Sequence, residues 1–228
     1  MVKEEINLSE NIKAKVLKDS VIVCGHPRSG TSITCQLVES AGVDFPSDYE
    51  GDEYNEAGYY ELEISKDLSK KLIKKAMTIK NTIKMNQVIE KLNDQKGTSG
   101  LKLVRIPALF FYRHVANNLK TVFIFRNPAD VKASLLRRGI SSFEPDWFTN
   151  NNALIAAHEN VENSILLSYE TLLSNKNKVK KLFETIDLDI DVSLIKTDQR
   201  SQKHSNIVLE EKEIKLYERL KELESKNL

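Results

Sequence analysis

Cysteine is scarce in this chain of 228 residues: there are two, Cys24 and Cys35. Neither lies in a Cys-x-x-Cys or Cys/His spacing, so a disulfide scaffold and a structural zinc site are both excluded. Proline (5) and glycine (8) are too few for collagen-like or linker-rich organisation. No apolar run approaches the ~20 residues that a membrane span requires. Charge of one sign is also missing, since 34 Lys and Arg offset 33 Asp and Glu to a net +1. A broad nucleic-acid-binding face is therefore not expected, although a local anion site remains open. The opening stretch MVKEEINLSENIKAK is too polar for a signal peptide. Together with two thiols in apolar surroundings, it predicts a cytoplasmic protein.

The 40% of hydrophobic residues suffices for one buried core, and we read residues 1–228 as a single domain. Residues 1–19 read as a polar lead-in with a short amphipathic helix around Ile12, Val16 and Leu17. Short apolar runs predict strands at 21–24, 101–106, 121–125 and 164–167. Helical spacing predicts helices over 32–41, 61–76, 82–92, 127–138, 145–159, 169–174, 176–186 and 209–225. Apolar strands alternating with helices imply an α/β fold, a doubly wound parallel sheet of about four to five strands with helices on both faces.

The most informative stretch is Gly25-His26-Pro27-Arg28-Ser29-Gly30-Thr31-Ser32, between the first strand and its helix. Backbone N–H groups at a helix start point at an anion, and the helix dipole favours negative charge there. Arg28 offers a fork of donors suited to phosphate oxygens, Gly30 permits close approach, and Thr31 and Ser32 supply hydroxyls. The spacing of Gly25 and Gly30 matches the G-x-x-x-x-G-K-[ST] loop of nucleotide triphosphatases. The lysine of that loop is replaced by Thr31, and Arg126 ends the third strand where a magnesium-holding acid would sit. The stretch thus reads as a phosphate site without magnesium chemistry, and no metal is expected.

A second element, Arg126-Asn127-Pro128-Ala129-Asp130, follows the third strand, with Ser134 two turns into the next helix. Asn127 and Pro128 are a helix start, and Asp130 is expected to turn away from the ligand and compensate the helix terminus. Ligands of parallel sheets collect at the carboxyl ends of strands, so Arg28 and Arg126 should share one edge.

Taken together, VIVCGHPRSGTS, TVFIFRNPADVKAS and ILLSYETLL resemble the sulfotransferase family over residues 20–186, in its bacterial-type branch with P-R-S-G-T-S. The resemblance implies a P-loop-like fold that uses 3′-phosphoadenosine 5′-phosphosulfate (PAPS) and releases 3′-phosphoadenosine 5′-phosphate (PAP). It implies that Arg28, Ser29, Gly30, Thr31 and Ser32 hold the 5′ end, and that Arg126 and Ser134 hold the 3′-phosphate. Tyr169, in the Tyr169–Leu173 landmark, joins the cofactor set. Arg200, in the basic stretch Gln199–His204 with Lys203, is a further candidate for the 3′-phosphate. In the branch acting on small phenols and steroids the base is a histidine beside a proline in the second strand. The stretch here is Val104-Arg105-Ile106-Pro107, and Ile106 cannot take a proton. Asn55-Glu56-Ala57-Gly58-Tyr59-Tyr60-Glu61 resembles the N-x-x-G-[YF]-x-E element of other members, which makes Glu61 the candidate base, with Arg28 stabilising the reacting groups. Arg105 is a candidate for the rim of the site, and His26, inside the loop, for a contact to substrate or cofactor, with local packing as the alternative. The acceptor, a small molecule or saccharide, would lie over residues 43–65 and 140–150, where Tyr49, Tyr54, Tyr59 and Tyr60 could stack on it. A small-molecule or nucleoside kinase and a non-catalytic nucleotide-binding relative remain the rival readings. The sequence is silent on oligomeric state.

Overall fold

The computed structural model describes residues 13–51, 58–74, 77–196 and 207–226. Its centre is a four-stranded, all-parallel sheet: β1 (Ser20–Cys24), β2 (Ser99–Leu103), β3 (Leu119–Phe125) and β4 (Ser164–Ser168), ordered β2-β1-β3-β4. Every residue of β1 is buried, as its uninterrupted SVIVC run requires of a strand with neighbours on both edges. Val23 lies opposite Lys102 on β2 and Val122 on β3. Cys24 lies opposite Leu103 and Phe123, so three strand ends open on the same edge. Chain order reverses between β1 and β3, the place where such sheets bind ligands.

Period-two alternation divides the core. Ile22, Cys24, Leu101, Leu103, Phe123, Phe125 and Leu166 point to one face. That face is covered by α2 (Glu63–Leu72), α3 (Ile79–Asn93), α4 (Leu109–Val115), α5 (Pro128–Arg137), α6 (Trp147–His158) and α9 (Glu211–Lys226). Val21, Val23, Val122, Ile124, Ile165 and Leu167 point to the other, beneath α1 (Thr31–Ser40), α7 (Tyr169–Ser174) and α8 (Lys176–Glu184). Truncating the fully buried Phe123 to alanine would cost about 3–5 kcal/mol. Among the described residues, no helix is long and apolar enough to cross a membrane.

Most elements lie where hydrophobic spacing puts them, within two or three residues. The start of α5 follows the sequence: Asn127 caps it by accepting from the Ala129 N–H at 2.9 Å, and Pro128 is its first residue. The lead-in differs. Val16 and Leu17 are not helical; Leu17 pairs with Ala116, and its N–H reaches the Val115 carbonyl at 2.8 Å. Pairing with the end of α4 satisfies that backbone without a helix, and the side chain of Leu17 is fully buried. Ile12 lies outside the described residues. The last helix returns to the sheet: the buried Glu224 carboxylate accepts from both the N–H and the hydroxyl of Ser168, each at 2.8 Å.

Candidate active site

The loop after β1 runs close over β3. A Cβ at Gly25 would stand 2.5 Å from the Ile124 carbonyl oxygen, so only glycine fits. Arg28 (φ 68°) and Gly30 (φ 95°) both occupy the left-handed region. For Arg28 that conformation is strained by ~1–2 kcal/mol, and the Ser29 N–H that follows it donates to the His26 carbonyl at 3.1 Å. Gly30 is the N-cap of α1 with no side-chain capping bond, and no acid occupies the first turn. The helix therefore begins without a carboxylate to answer its dipole. The Ser29 hydroxyl is buried with no hydrogen-bond partner among the described residues.

The loop is the floor of a cavity of about 440 Å³. Among the described residues, its lining holds six cations (Arg28, Lys66, Lys102, Arg105, Arg126 and Arg138) and one carboxylate, Glu61. Burial, and then the neighbouring Arg138, draw the Arg28 guanidinium below its ordinary pKa, with Arg126 and Arg137 adding to the effect. Clustered guanidinia on a chain of net charge +1 are the electrostatic complement of a polyanion.

Arg126 is held from three sides. Its Nη1 donates to the Arg28 carbonyl at 3.2 Å, and its guanidinium lies over the Tyr169 ring, 4.4 Å from the centroid. Its own carbonyl accepts from the Trp147 indole at 3.2 Å. Tyr169 in turn packs on the loop: a Cβ at Gly30 would come within 2.5 Å of the ring. Asp130 stands in the first turn of α5, outside the cavity lining, and its carboxylate lies 3.8 Å from Arg126 Nη2. Ser134 is buried on α5 and accepts from Arg28 Nε at 3.1 Å, so here it orients Arg28 and is not part of the cavity wall.

Glu61 precedes α2 by two residues and faces the cavity from the opposite side. Burial alone would raise its pKa. The Lys102 ammonium at 3.1 Å and Lys66 at 3.4 Å outweigh burial and hold the carboxyl below its ordinary value. Glu61 is thus ionised and able to accept a proton or a hydrogen bond. Tyr49 and Tyr59 line the same side, and Arg138 Nη2 donates to the Tyr59 hydroxyl at 2.6 Å. Tyr60 instead turns into the core, its hydroxyl donating to Glu39 at 3.0 Å. Tyr54, Asn55, Glu56, Ala57, Arg200 and Lys203 lie outside the described residues.

Arg105 reaches the rim as expected. Its guanidinium sits 4.4 Å from the Phe143 ring centroid, and its Nε donates to the Glu144 carbonyl at 3.0 Å. Asn150 on α6 braces the segment by bonding the Val104 carbonyl and the Ile106 N–H. His26 is buried and absent from the lining; its Nδ1–H donates to the Pro27 carbonyl at 3.0 Å and its ring meets Phe143 edge-on. Burial lowers its pKa to about 4, which keeps it neutral. Sequence reasoning did not single out Lys66, Lys102, Arg138 or Phe143. A lysine at an inward position of an apolar strand was the available signal for Lys102.

Among the solved structures that share this fold are two sulfotransferase domains. The sulfotransferase domain of the Synechococcus PCC 7002 olefin synthase is 16% identical, with 92% of this chain and 96% of that one covered at a TM-score of 0.58. The sulfotransferase domain from the curacin biosynthetic pathway is 13% identical, with 91% and 99% covered at 0.59. At such identities the likeness is one of fold. No curated protein matches this chain. The sulfotransferase domain family, however, matches residues 18–214, nearly the whole sheet and its helices, and the chain belongs to the sulfotransferase family.

Proposed function

We propose that this protein moves a sulfuryl group from PAPS to a hydroxyl or amine of a small-molecule or saccharide acceptor, with Glu61 as the base. The observation that carries the reading is the cavity itself: six cations around an uncapped helix start, facing one ionised carboxylate. The donor set fits PAPS, whose anionic groups call for the N–H groups at the uncapped start of α1, the hydroxyls of Ser29, Thr31 and Ser32, and guanidinium forks. When bound, PAPS supplies the activated sulfuryl group, and PAP is what remains.

The chain's own part is positioning and electrostatics. Arg28, fixed by its strained backbone and by Ser134, stabilises the negative charge that develops where the group departs. The loop from Ser29 to Ser32 orients the 5′ end. Arg126 takes the 3′-phosphate, Ser134 acts on that edge through its hydrogen bond to Arg28, Tyr169 lies beside Arg126, and Arg200 is assigned to the same phosphate. Glu61 accepts the acceptor's proton across the cavity, and a carboxylate held ionised is in the correct state to do so. Tyr49, Tyr59 and Phe143 offer ring faces for the acceptor. None of these roles calls for a metal. Two unlinked, buried thiols accord with a single-domain protein of the cytoplasm.

Calorimetric titration with PAP, set against ATP plus Mg²⁺, tests the reading. Metal-independent binding of PAP alone is expected. Preference for ATP with Mg²⁺ would overturn the assignment in favour of a kinase.

A further inference from the structure

We propose that Lys102 is the positioning residue of the transfer site: one buried ammonium ties the carboxylate of Glu61, the carbonyl of Tyr59 and the hydroxyl of Ser32 into a single unit. The proposal rests on the reading of Glu61 as the base.

Lys102 stands on β2 opposite Val23, on the sheet face that otherwise presents Val21, Val23, Val122 and Ile124. Its side chain is 4% exposed. An ammonium withdrawn from water to that extent is destabilising unless its donors are all answered. They are: Nζ lies 2.6 Å from the Tyr59 carbonyl, 3.1 Å from Ser32 Oγ and 3.1 Å from Glu61 Oε1. Three acceptors match the three N–H donors of lysine. A methionine would fill the same stem volume with no polar atoms to satisfy, so packing does not require this lysine.

The three partners come from both sides of the cavity. Ser32 is the second residue of α1, within the phosphate-gripping loop. Tyr59 and Glu61 flank Tyr60, whose φ of 55° is unusual for a bulky residue. That left-handed turn puts the Tyr60 ring into the core while Tyr59 and Glu61 line the cavity. Lys102 fastens the turn at the Tyr59 carbonyl and so fixes how far the base stands from the anion cradle.

The charged and titratable groups facing Glu61 are Lys102 from β2, Lys66 from α2, Arg105 beyond the end of β2 and Cys35 from α1. Lys66 is 40% exposed and screened by water, whereas Lys102 is not. With Lys102 removed, burial should prevail and Glu61 should stay protonated to higher pH. Glu61 is active when ionised, so the acid limb of the pH–rate profile should rise.

The test is Lys102→Met, with Glu61 followed by carboxyl ¹³C NMR and assigned through Glu61→Gln. The Glu61 midpoint is expected to move up by at least about one pH unit, and more than in Lys66→Met. An unmoved midpoint in folded Lys102→Met, or an equal move in Lys66→Met, overturns the proposal. If Lys102→Met does not fold, Lys102→Arg keeps the charge but cannot set one nitrogen on three acceptors. Its kcat should fall at least about tenfold, by more than any loss of PAP affinity; full kcat overturns the proposal. The NMR titration needs no cofactor, so it decides the Lys102–Glu61 linkage even if PAP fails to bind.

Discussion

The cavity has two sides built in different ways. The side proposed for the nucleotide is written into short contiguous stretches: Gly25–Ser32 supplies a floor, and Arg126 arrives on one strand end. Its geometry is imposed by backbone, through left-handed Arg28 and Gly30 and through glycines with no room for a Cβ. The side proposed for the acceptor is assembled from distant residues whose side chains must find one another: Glu61 with Lys102, Tyr59 with Arg138, Arg105 with Phe143. A side fixed by backbone can hold one ligand chemistry over wide sequence change. A side fixed by side-chain pairs can be re-specified by single substitutions.

Substitutions on each side should therefore fail in different ways. Arg28→Ala should do the most damage, with turnover reduced ~10²–10³-fold, because the loop loses the guanidinium nearest the departing charge. Single-turnover rates at saturating PAPS check this, and a loss below tenfold would remove Arg28 from the chemistry. Glu61→Gln should cut turnover ~10²-fold and leave PAP affinity intact; calorimetry beside the rate assay separates the two effects. Arg126→Ala should weaken PAP by about 1.5–3 kcal/mol, the worth of hydrogen bonds to a charged group. Binding of adenosine 5′-phosphate should hardly change, and equal losses for the two nucleotides would contradict the 3′-phosphate assignment. Tyr59→Phe should have the smallest effect. It removes the hydroxyl that Arg138 reaches at 2.6 Å, and it should alter KM for the acceptor severalfold without touching PAP. A changed PAP affinity would mean that the two sides are not separable.

The same division explains what could be read in advance. The loop 25–32 was legible because strand, turn and helix start lie in one line of sequence, and the sheet because its strands are short apolar runs. Lys102 was not, because its inward direction depends on strand register, and its partners Ser32 and Glu61 are 70 and 41 residues away in sequence. Val16 and Leu17 have helical spacing, yet Leu17 finds its backbone partners at Val115 and Asn117, which no local pattern reveals. Asp130 fits a helix start on local grounds, and only the fold puts it beside Arg126. Arg200 was chosen for charge alone, and it lies outside the described residues.

The final helix has a role beyond covering the sheet. Glu224 caps Ser168, and Ser168 is the N-cap of the helix that begins with Tyr169, the ring seated on Gly30. Burial would raise the Glu224 pKa, but the bonds from Ser168, Lys221 and Thr171 hold it below the ordinary range. A carboxyl depressed on folding contributes stability above its unfolded pKa and loses it as pH falls through the folded one. Acid should thus loosen the nucleotide pocket from behind: the last helix lets go of the strand end, and the tyrosine loses the anchor that keeps it against the loop.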